Sequence, residues 1–532
     1  MGVDFPPDCA EYWVGESVVG NRPSVRRSAV VIGLCTLLSR VLGMVRDVLC
    51  SHYFGAGMLW DAFTIAYRVP NLFRRLFGEG ALTAAFVPSF VHLLEKDRRD
   101  EAFALLNRLL TMLVIVLGVV TAVGIAATFV LPLFWPDEKM RLVMSLLRIL
   151  LPYVLLVCAG AILGAALNGL FRFFAPAFAP VVLNVTWILA LPFLAMNLPQ
   201  ETAIRAVAWS VIAGGVLQLL TMAYPLAREG VRFRPDWAPR DPGLRDIGRQ
   251  FLPTVFGLAL VQINELVDSL IAEIFVPGDG AVSALYYANL LTQFPLSLVG
   301  TSLATAVLPG LAAAAARGDR AEFGGLFRRA LSGALYLGLP ASAGLLLFGT
   351  DIVAVIFEHG RFTADATARA GLAASLFGAG LWCYCANQVQ VRAFHAHKDT
   401  RTPVRVSAAM VALNLVLNLA LVGPMREAGL ALATSITGLA TFLVLNAILR
   451  KRHPDLELRS LRPDFIKSLV ATAVMGGAAW GAAALLRAPG ATTLWARVLP
   501  LGAAVAVAMA VYFGLTRLMG MRDAISLLRR RR

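Results

Sequence analysis

Long apolar runs separated by short charged segments constrain this chain more than any other feature. The runs fall at residues 28–50, 60–94, 104–135, 142–170, 177–197, 203–227, 246–275, 281–313, 322–348, 364–394, 403–422, 428–449, 464–486 and 494–518. A hydrocarbon layer about 30 Å thick needs roughly 20 apolar residues at 1.5 Å rise per residue. Lipid offers no partner to backbone N–H and C=O groups, so such runs must be helical. Strands of a membrane barrel would be shorter and would alternate in polarity, which these do not. Charged residues make up only 15% of the chain, against about 25% in soluble proteins. The fold expected is an all-α polytopic membrane protein with about fourteen transmembrane helices. Pro70, Pro88, Pro152, Pro253, Pro295, Pro309 and Pro340 fall within runs and should kink or break them.

The placement of the basic residues gives an orientation. The net charge of +15 could by itself suggest nucleic acid, but the cations concentrate in alternate loops, the pattern of cytoplasmic segments. One set of loops carries Lys96, Arg98 and Arg99, then Arg172, then Arg228 to Arg249, Arg317 and Arg320, Lys398 and Arg401, Lys451 to Arg462, and the tail Arg529–Arg532. The opposite set is poorer in Lys and Arg. Both termini are therefore expected in the cytoplasm, with no nucleic-acid partner and no signal peptide in the polar stretch 1–26. The six cysteines lie mostly in or beside apolar runs and suggest neither a metal site nor a disulfide framework.

An internal similarity organises the runs. AFVPSFVHLLEKDRRDEAFALLNRLL (85–110) resembles AVLPGLAAAAARGDRAEFGGLFRRAL (306–331), with Pro88 answering to Pro309 and Arg108 to Arg328. Either this is a parallel repeat or two helix ends share turn chemistry. A repeat implies a cytoplasmic tail at 1–27, lobes at 28–230 and 246–450 joined by a linker at 231–245, two appended helices within 464–518, and a basic tail at 519–532. Parallel repeats are a transporter architecture, with substrate handled between the halves.

Some charges stand where lipid should not tolerate them. Arg40, Arg46 and Asp47 lie within the first run; Asp61, Arg68, Arg74, Arg75 and Glu79 lie within the second. Such residues should face a bundle interior or a wet cavity. Their excess of positive charge suits an anionic ligand, since a guanidinium fork matches phosphate oxygens in two-point geometry; the alternative is internal salt bridging with snorkelling. The second half is acidic and amide-rich: Asn264, Glu265 and Asp268 in the seventh run, Asn414 and Asn418 one helical turn apart in the eleventh, and Thr434 in the twelfth. These groups suit a small cation such as Na⁺, a proton relay through Asp268, or plain interhelical hydrogen bonding. No Walker motif, HExxH pair, nucleophile elbow or CxxC pair is present.

Three blocks carry a family resemblance: SRVLGMVRD (39–47), FGAGMLWDAF (54–63) and PNLFRRLFGEGALTAAFVPSF (70–90). NGLFRFFAPAFAP (168–180), FEHGRFTA (357–364) and AFHAHKDTRTPV (393–404) extend it over essentially the whole chain. The sequence resembles the MurJ (MviN) family of lipid II flippases, within the multidrug/oligosaccharidyl-lipid/polysaccharide exporter superfamily. The resemblance implies fourteen helices in two lobes that open alternately in the bacterial inner membrane, and a cationic cavity for the substrate's diphosphate and sugars. It places Arg40, Arg46, Asp61, Arg74, Arg75 and Glu79 at that cavity. It also maps a sodium site, found in some members, onto Asp268, Asn414, Asn418 and Thr434. Lipid II and membrane lipids are the implied partners of a monomeric protein without a fixed cofactor, with Na⁺, a proton or the membrane potential as the coupling force. One departure stands out: YYANLLTQFP (286–295) has Leu290 where the family usually has a cavity arginine, and Gln293 where an acid is common. Another cation may be read as substituting, the substrate as altered, or the chain as a divergent paralogue. Export of another lipid-linked oligosaccharide or a drug, and a non-transporting scaffold, are the competing functions. A membrane glycosyltransferase is disfavoured because the non-cytoplasmic loops are too short to hold a catalytic site.

Overall fold

A computed structural model describes residues 25–78, 81–134, 137–453, 456, 461–487 and 493–521. Glu79 and the greater part of both expected tails lie outside the described residues. Helices fill the first half as α1 (Val25–Phe54), α2 (Met58–Gly78), α3 (Ala81–Glu95), α4 (Arg99–Phe134), α5 (Glu138–Leu150), α6 (Tyr153–Gly169), α7 (Phe174–Asn197) and α8 (Gln200–Arg228). The second half comprises α9 (Pro242–Phe275), α10 (Ala281–Pro295), a π-helical turn (Leu296–Thr301), α11 (Ser302–Arg317), α12 (Arg320–Phe357), α13 (Ala364–Ala396) and α14 (Arg401–Arg452), followed by α15 (Arg462–Leu486) and α16 (Leu494–Leu518). No strand occurs among the described residues.

Nine helical stretches among the described residues are long and apolar enough to cross a membrane. The charged α2, with Asp61, Arg68, Arg74 and Arg75 in 21 residues, is not one of them. Side-chain oxygens start several of the helices. Asp137, Asp241, Asp319 and Thr363 each accept a hydrogen bond from an N–H in the first turn that has no helical partner.

Several expected runs are helical but broken. The run expected at 142–170 is divided between α5 and α6 at Leu151–Pro152. Pro295 directly precedes the π turn, where the normal i→i−4 ladder is interrupted. The runs 403–422 and 428–449 both belong to α14, which breaks at Arg426, held at φ 54° and ψ −140°.

Packing sorts the helices into two bundles and a pair. In the N-terminal bundle α7 packs on α1 and α8, and α6 packs on α2 and α8; in the C-terminal bundle α13 packs on α10, α12 and α14. The bundles meet where α2 runs beside α9 and α10, while α15 and α16 pair with each other and lean on α12. The α12–α13 contact depends on small residues, because lipid supplies no hydrophobic drive for helices to associate. A Cβ added to Gly371 would lie 2.6 Å from the Thr350 Cα, and one added to Gly378 would lie 2.6 Å from the Leu345 Cβ.

Asp399, in the turn between α13 and α14, fastens the ends of these helices by accepting from the Thr402 N–H at 3.0 Å and pairing with Arg452. Partial burial opposes its ionisation, but the Thr402 hydrogen bonds and the Arg452 charge prevail and hold its carboxyl down at about 2. A depressed carboxylate pKa contributes stability above the ordinary carboxylate value, and that contribution is lost as the pH falls through about 2. This fastening therefore holds at neutral pH.

Gly371→Val should force α12 and α13 apart and cost about 1–3 kcal/mol. Gly344→Ala, with nothing within 4 Å of the new methyl group, should be close to neutral. Thermal unfolding of the two variants in detergent checks the contrast.

Candidate substrate site

At one end of the bundle a buried carboxylate joins the two bundles. Asp61, on α2, is fully buried. It accepts from the Gly280 N–H (2.7 Å), the Ser283 N–H (2.7 Å), the Ser283 hydroxyl (2.5 Å) and Lys139 Nζ (2.8 Å). The first two donors open α10, so the carboxylate caps a helix of the other bundle at its positive end. Lys139 also reaches Glu273 at 2.8 Å and Asp279 at 3.2 Å. Main chains approach closely here. Gly280 has φ 91°, and a Cβ on it would lie 2.7 Å from the Ala56 carbonyl oxygen; Gly360 has φ 62°, and a Cβ there would meet His52. The Arg361 N–H donates to the His52 carbonyl at 2.9 Å. Expected to face a cavity, Asp61 instead has its acceptor capacity filled by a clasp. Lys139 completes the clasp from the charged segment between the runs 104–135 and 142–170, so the second run gave no sign of it.

Further along α1 and α2 the arginines fan out. Arg46 pairs with Asp47 at 2.9 Å, donates to Asn184 Oδ1 at 3.1 Å and lies 4.7 Å from the Trp187 ring centre. The Tyr286 hydroxyl, from α10, donates to the same Asp47 oxygen at 3.0 Å. Arg40 reaches the Ser297 hydroxyl in the π turn. Arg68 donates to the main-chain carbonyl of Glu265 on α9. Arg75 lies 14 residues beyond Asp61, about 20 Å along the helix. Its Nη1 contacts both Glu265 oxygens at 2.8 and 2.9 Å, and Gln262 Oε1 at 3.0 Å. Arg74 points elsewhere: its Nε donates to Asn71 Oδ1 at 2.9 Å, and it lines a cavity of about 200 Å³ with Thr83, Asn168 and Gln218. Adjacent arginines thus serve different spaces, the seam between the bundles and the interior of the N-terminal bundle. Among the described residues, Asp47, Glu265 and Asp268 oppose five arginines, leaving two positive charges in excess.

Leu290 is partly buried and packs against the hydrophobic core. Ser297 lies seven residues on, close to the same helix face and about 10 Å away. Arg40 therefore brings a cation to the helix face that lacks its arginine.

The amide-rich residues also converge. Asn418 Nδ2 donates to Asp268 at 2.6 Å and to Asn414 Oδ1 at 3.0 Å, while Asn264 Nδ2 donates to the other Asp268 oxygen at 3.3 Å. Asn418 Oδ1 is buried without a hydrogen-bond partner. That oxygen, with the carboxylate and the Asn414 oxygen, is a donor set a hard cation would accept. Thr434 is not hydrogen-bonded into this set. Its hydroxyl donates to Leu430 at 3.0 Å within its own helix, and Thr437, about a turn later, accepts from Asn414 at 3.5 Å. Among the described residues no group of three or more His, Cys, Asp or Glu side chains could hold a metal.

Two helical bundles packed together, nine stretches among the described residues long and apolar enough to cross a membrane, and cationic side chains at the seam define a multi-pass membrane transporter. The family model described as lipid II flippase MurJ matches residues 50–500, and the chain belongs to that family. The lipid II flippase MurJ of Burkholderia cenocepacia is 31% identical over 94% of this chain and 98% of its own. The probable lipid II flippase MurJ of Rhizobium tropici is 33% identical over 95% and 96%. Among solved structures, a lipid II flippase MurJ in an inward closed conformation is similar with a TM-score of 0.75 at 24% identity, covering 93% of this chain and 100% of its own. A multidrug resistance MATE family transporter in an inward-facing conformation shares the fold with a TM-score of 0.67 at 15% identity, over 81% of this chain and 99% of its own. The family consists of flippases, transporters rather than enzymes.

Removing one partner from a buried ion pair leaves a charge without compensation. Lys139→Met should accordingly cost about 3 kcal/mol, and Lys139→Arg clearly less. Thermal inactivation of the two variants, purified side by side, measures the difference.

Proposed function

We propose that this protein flips lipid II from the inner to the outer leaflet of the bacterial cytoplasmic membrane by alternating access between its two bundles. The observation that carries the proposal is the positive excess on α1 and α2, inside helices of a chain that belongs to this family. In this reading Arg40, Arg46 and Arg75 offer guanidinium groups to the diphosphate along the seam, and Arg74 holds the polar cavity beside it. Phosphate oxygens take a two-point hydrogen bond from each fork, and the low dielectric strengthens the attraction. The polyprenyl tail stays in lipid while the head crosses. The Asp61 clasp keeps its end of the seam shut, so substrate enters from the opposite side. Glu79 belongs with the same site by family resemblance.

The wider assignment follows the same reading. The fourteen apolar runs are fourteen crossings, with lobes at 28–230 and 246–450, a linker at 231–245, and two appended helices within 464–518. Both termini lie in the cytoplasm, and the protein acts as a monomer. Asp268, Asn414 and Asn418, with Asn418 Oδ1 lacking a donor, would hold a sodium ion; Thr434 belongs with them by family resemblance alone. The ion would supply positive charge in the C-terminal bundle; a proton on Asp268 is the alternative coupling species. The side chains themselves link α9 to α14 through the Asp268–Asn418 hydrogen bond.

Expression in a strain depleted of its own lipid II flippase tests the assignment. The wild-type chain should restore growth and outer-leaflet lipid II, while the doubly substituted Arg74→Ala/Arg75→Ala protein, expressed equally well, should lower transport by at least about a hundredfold. Failure of the wild-type chain despite good expression would favour another lipid-linked oligosaccharide. If Arg40 serves as the substitute cation, Leu290→Arg should change transport little in the wild type and rescue Arg40→Ala in part. The same strain measures both.

A further inference from the structure

Transport as described so far gives no task to Glu265, although it stands among the arginines. It lies on α9, and both its carboxylate oxygens meet Arg75 Nη1 at 2.8 and 2.9 Å. Gln262, about one turn earlier, supplies a further acceptor to the same nitrogen at 3.0 Å. The main-chain carbonyl of Glu265 accepts from Arg68. Two arginines of α2 are thus tied to one residue of α9, across the seam between the bundles. The pair is only partly buried, with the Arg75 and Glu265 side chains 27% and 36% exposed. Arg46 is anchored differently, by Asp47 on its own helix and by Asn184 and Trp187 in its own bundle.

A carboxylate and a pair of phosphate oxygens present the same acceptors to a guanidinium. We infer that Glu265 is an internal stand-in for the substrate's phosphate. It holds Arg75, and with it α2 against α9, while no substrate is present. A lipid-linked diphosphate gains Arg75 only by displacing it. This inference rests on Arg75 being a diphosphate contact. Its consequence is that headgroup binding and release of the seam are one event. A ligand shifts a conformational equilibrium only through its differential affinity for the two states, and the exchange supplies that difference. It also sets specificity. An uncharged head cannot displace a carboxylate from a guanidinium, whereas a diphosphate brings more negative charge than the side chain it replaces.

Farnesyl diphosphate, added to purified protein in nanodiscs, serves as the probe, with farnesol as the uncharged control. Cysteines at Phe77 and Phe251, whose rings lie 5.2 Å apart across the same seam, report closure by disulfide yield once the native cysteines are replaced by serine. Saturating farnesyl diphosphate should lower the yield by at least about threefold, and farnesol should not. Glu265→Gln should show the low yield without any probe and bind farnesyl diphosphate roughly three- to fivefold more tightly, the range for a partly exposed ion pair. Arg75→Ala should weaken that binding. If it does not, the diphosphate reading of Arg75 itself fails. If Arg75→Ala weakens binding while Glu265→Gln changes neither affinity nor yield, the stand-in role is overturned and the transport reading survives. Should Glu265→Gln fail to fold, the chain retaining Glu265 decides: a yield unchanged at full probe occupancy overturns the inference.

Discussion

The arrangement of the two bundles depends on the carboxylate of Asp61. A buried charge is tolerated only where hydrogen bonds and an opposite charge replace its water. Asp61 obtains both: two backbone N–H groups and a hydroxyl at the start of α10, and the Lys139 ammonium from α5. None of these partners lies on its own helix. The ionised side chain can therefore be satisfied only when α2, α5 and α10 are docked together. Close main-chain approach at Gly280 and Gly360 reinforces the same end.

The seam away from the clasp has a different character. Its contacts are partly exposed, and several can be exchanged for ligand oxygens at little cost: Arg75 with Glu265 and Gln262, Arg68 with a main-chain carbonyl, Arg40 with a hydroxyl. One end is dry and fully satisfied while the rest is wet and replaceable. That asymmetry is what an alternating-access transporter needs in one of its closed forms. The excess of positive charge is held mostly by the N-terminal bundle, and the acids and amides that balance it lie on α9 and α14.

Much of the fold was legible in the residues. Span-length apolar runs imply helices because backbone groups have no other partner in lipid, and each of the expected runs is largely helical in its described part. Across 142–170, where a single helix was expected, the chain breaks at Leu151–Pro152, because a hydropathy run does not register an interruption shorter than its own window. Charge within apolar runs drew attention to α1 and α2, but it could not separate the roles of the individual residues. Asp61, Arg74 and Arg75 look alike as intramembrane charges. In the folded chain Asp61 is a fully buried clasp, Arg74 lines a cavity within one bundle, and Arg75 crosses the seam. Thr434 and Thr437 were equally eligible by composition, and helix rotation alone decides that Thr437 bonds to Asn414.

By itself the sequence determined that the chain is helical and a multi-pass membrane protein, and that its first two apolar runs carry arginines and its later ones acids and amides. These properties follow from local periodicity and from the cost of bare polar groups in hydrocarbon, which are set residue by residue. Only the tertiary structure decided which charge answers which. The partners are far apart in the chain: Lys139 for Asp61, Glu265 for Arg75, Ser297 for Arg40, Asn418 for Asp268. Pairing at such separations depends on how helices rotate and cross, and those angles emerge only when all the bundle contacts are satisfied together.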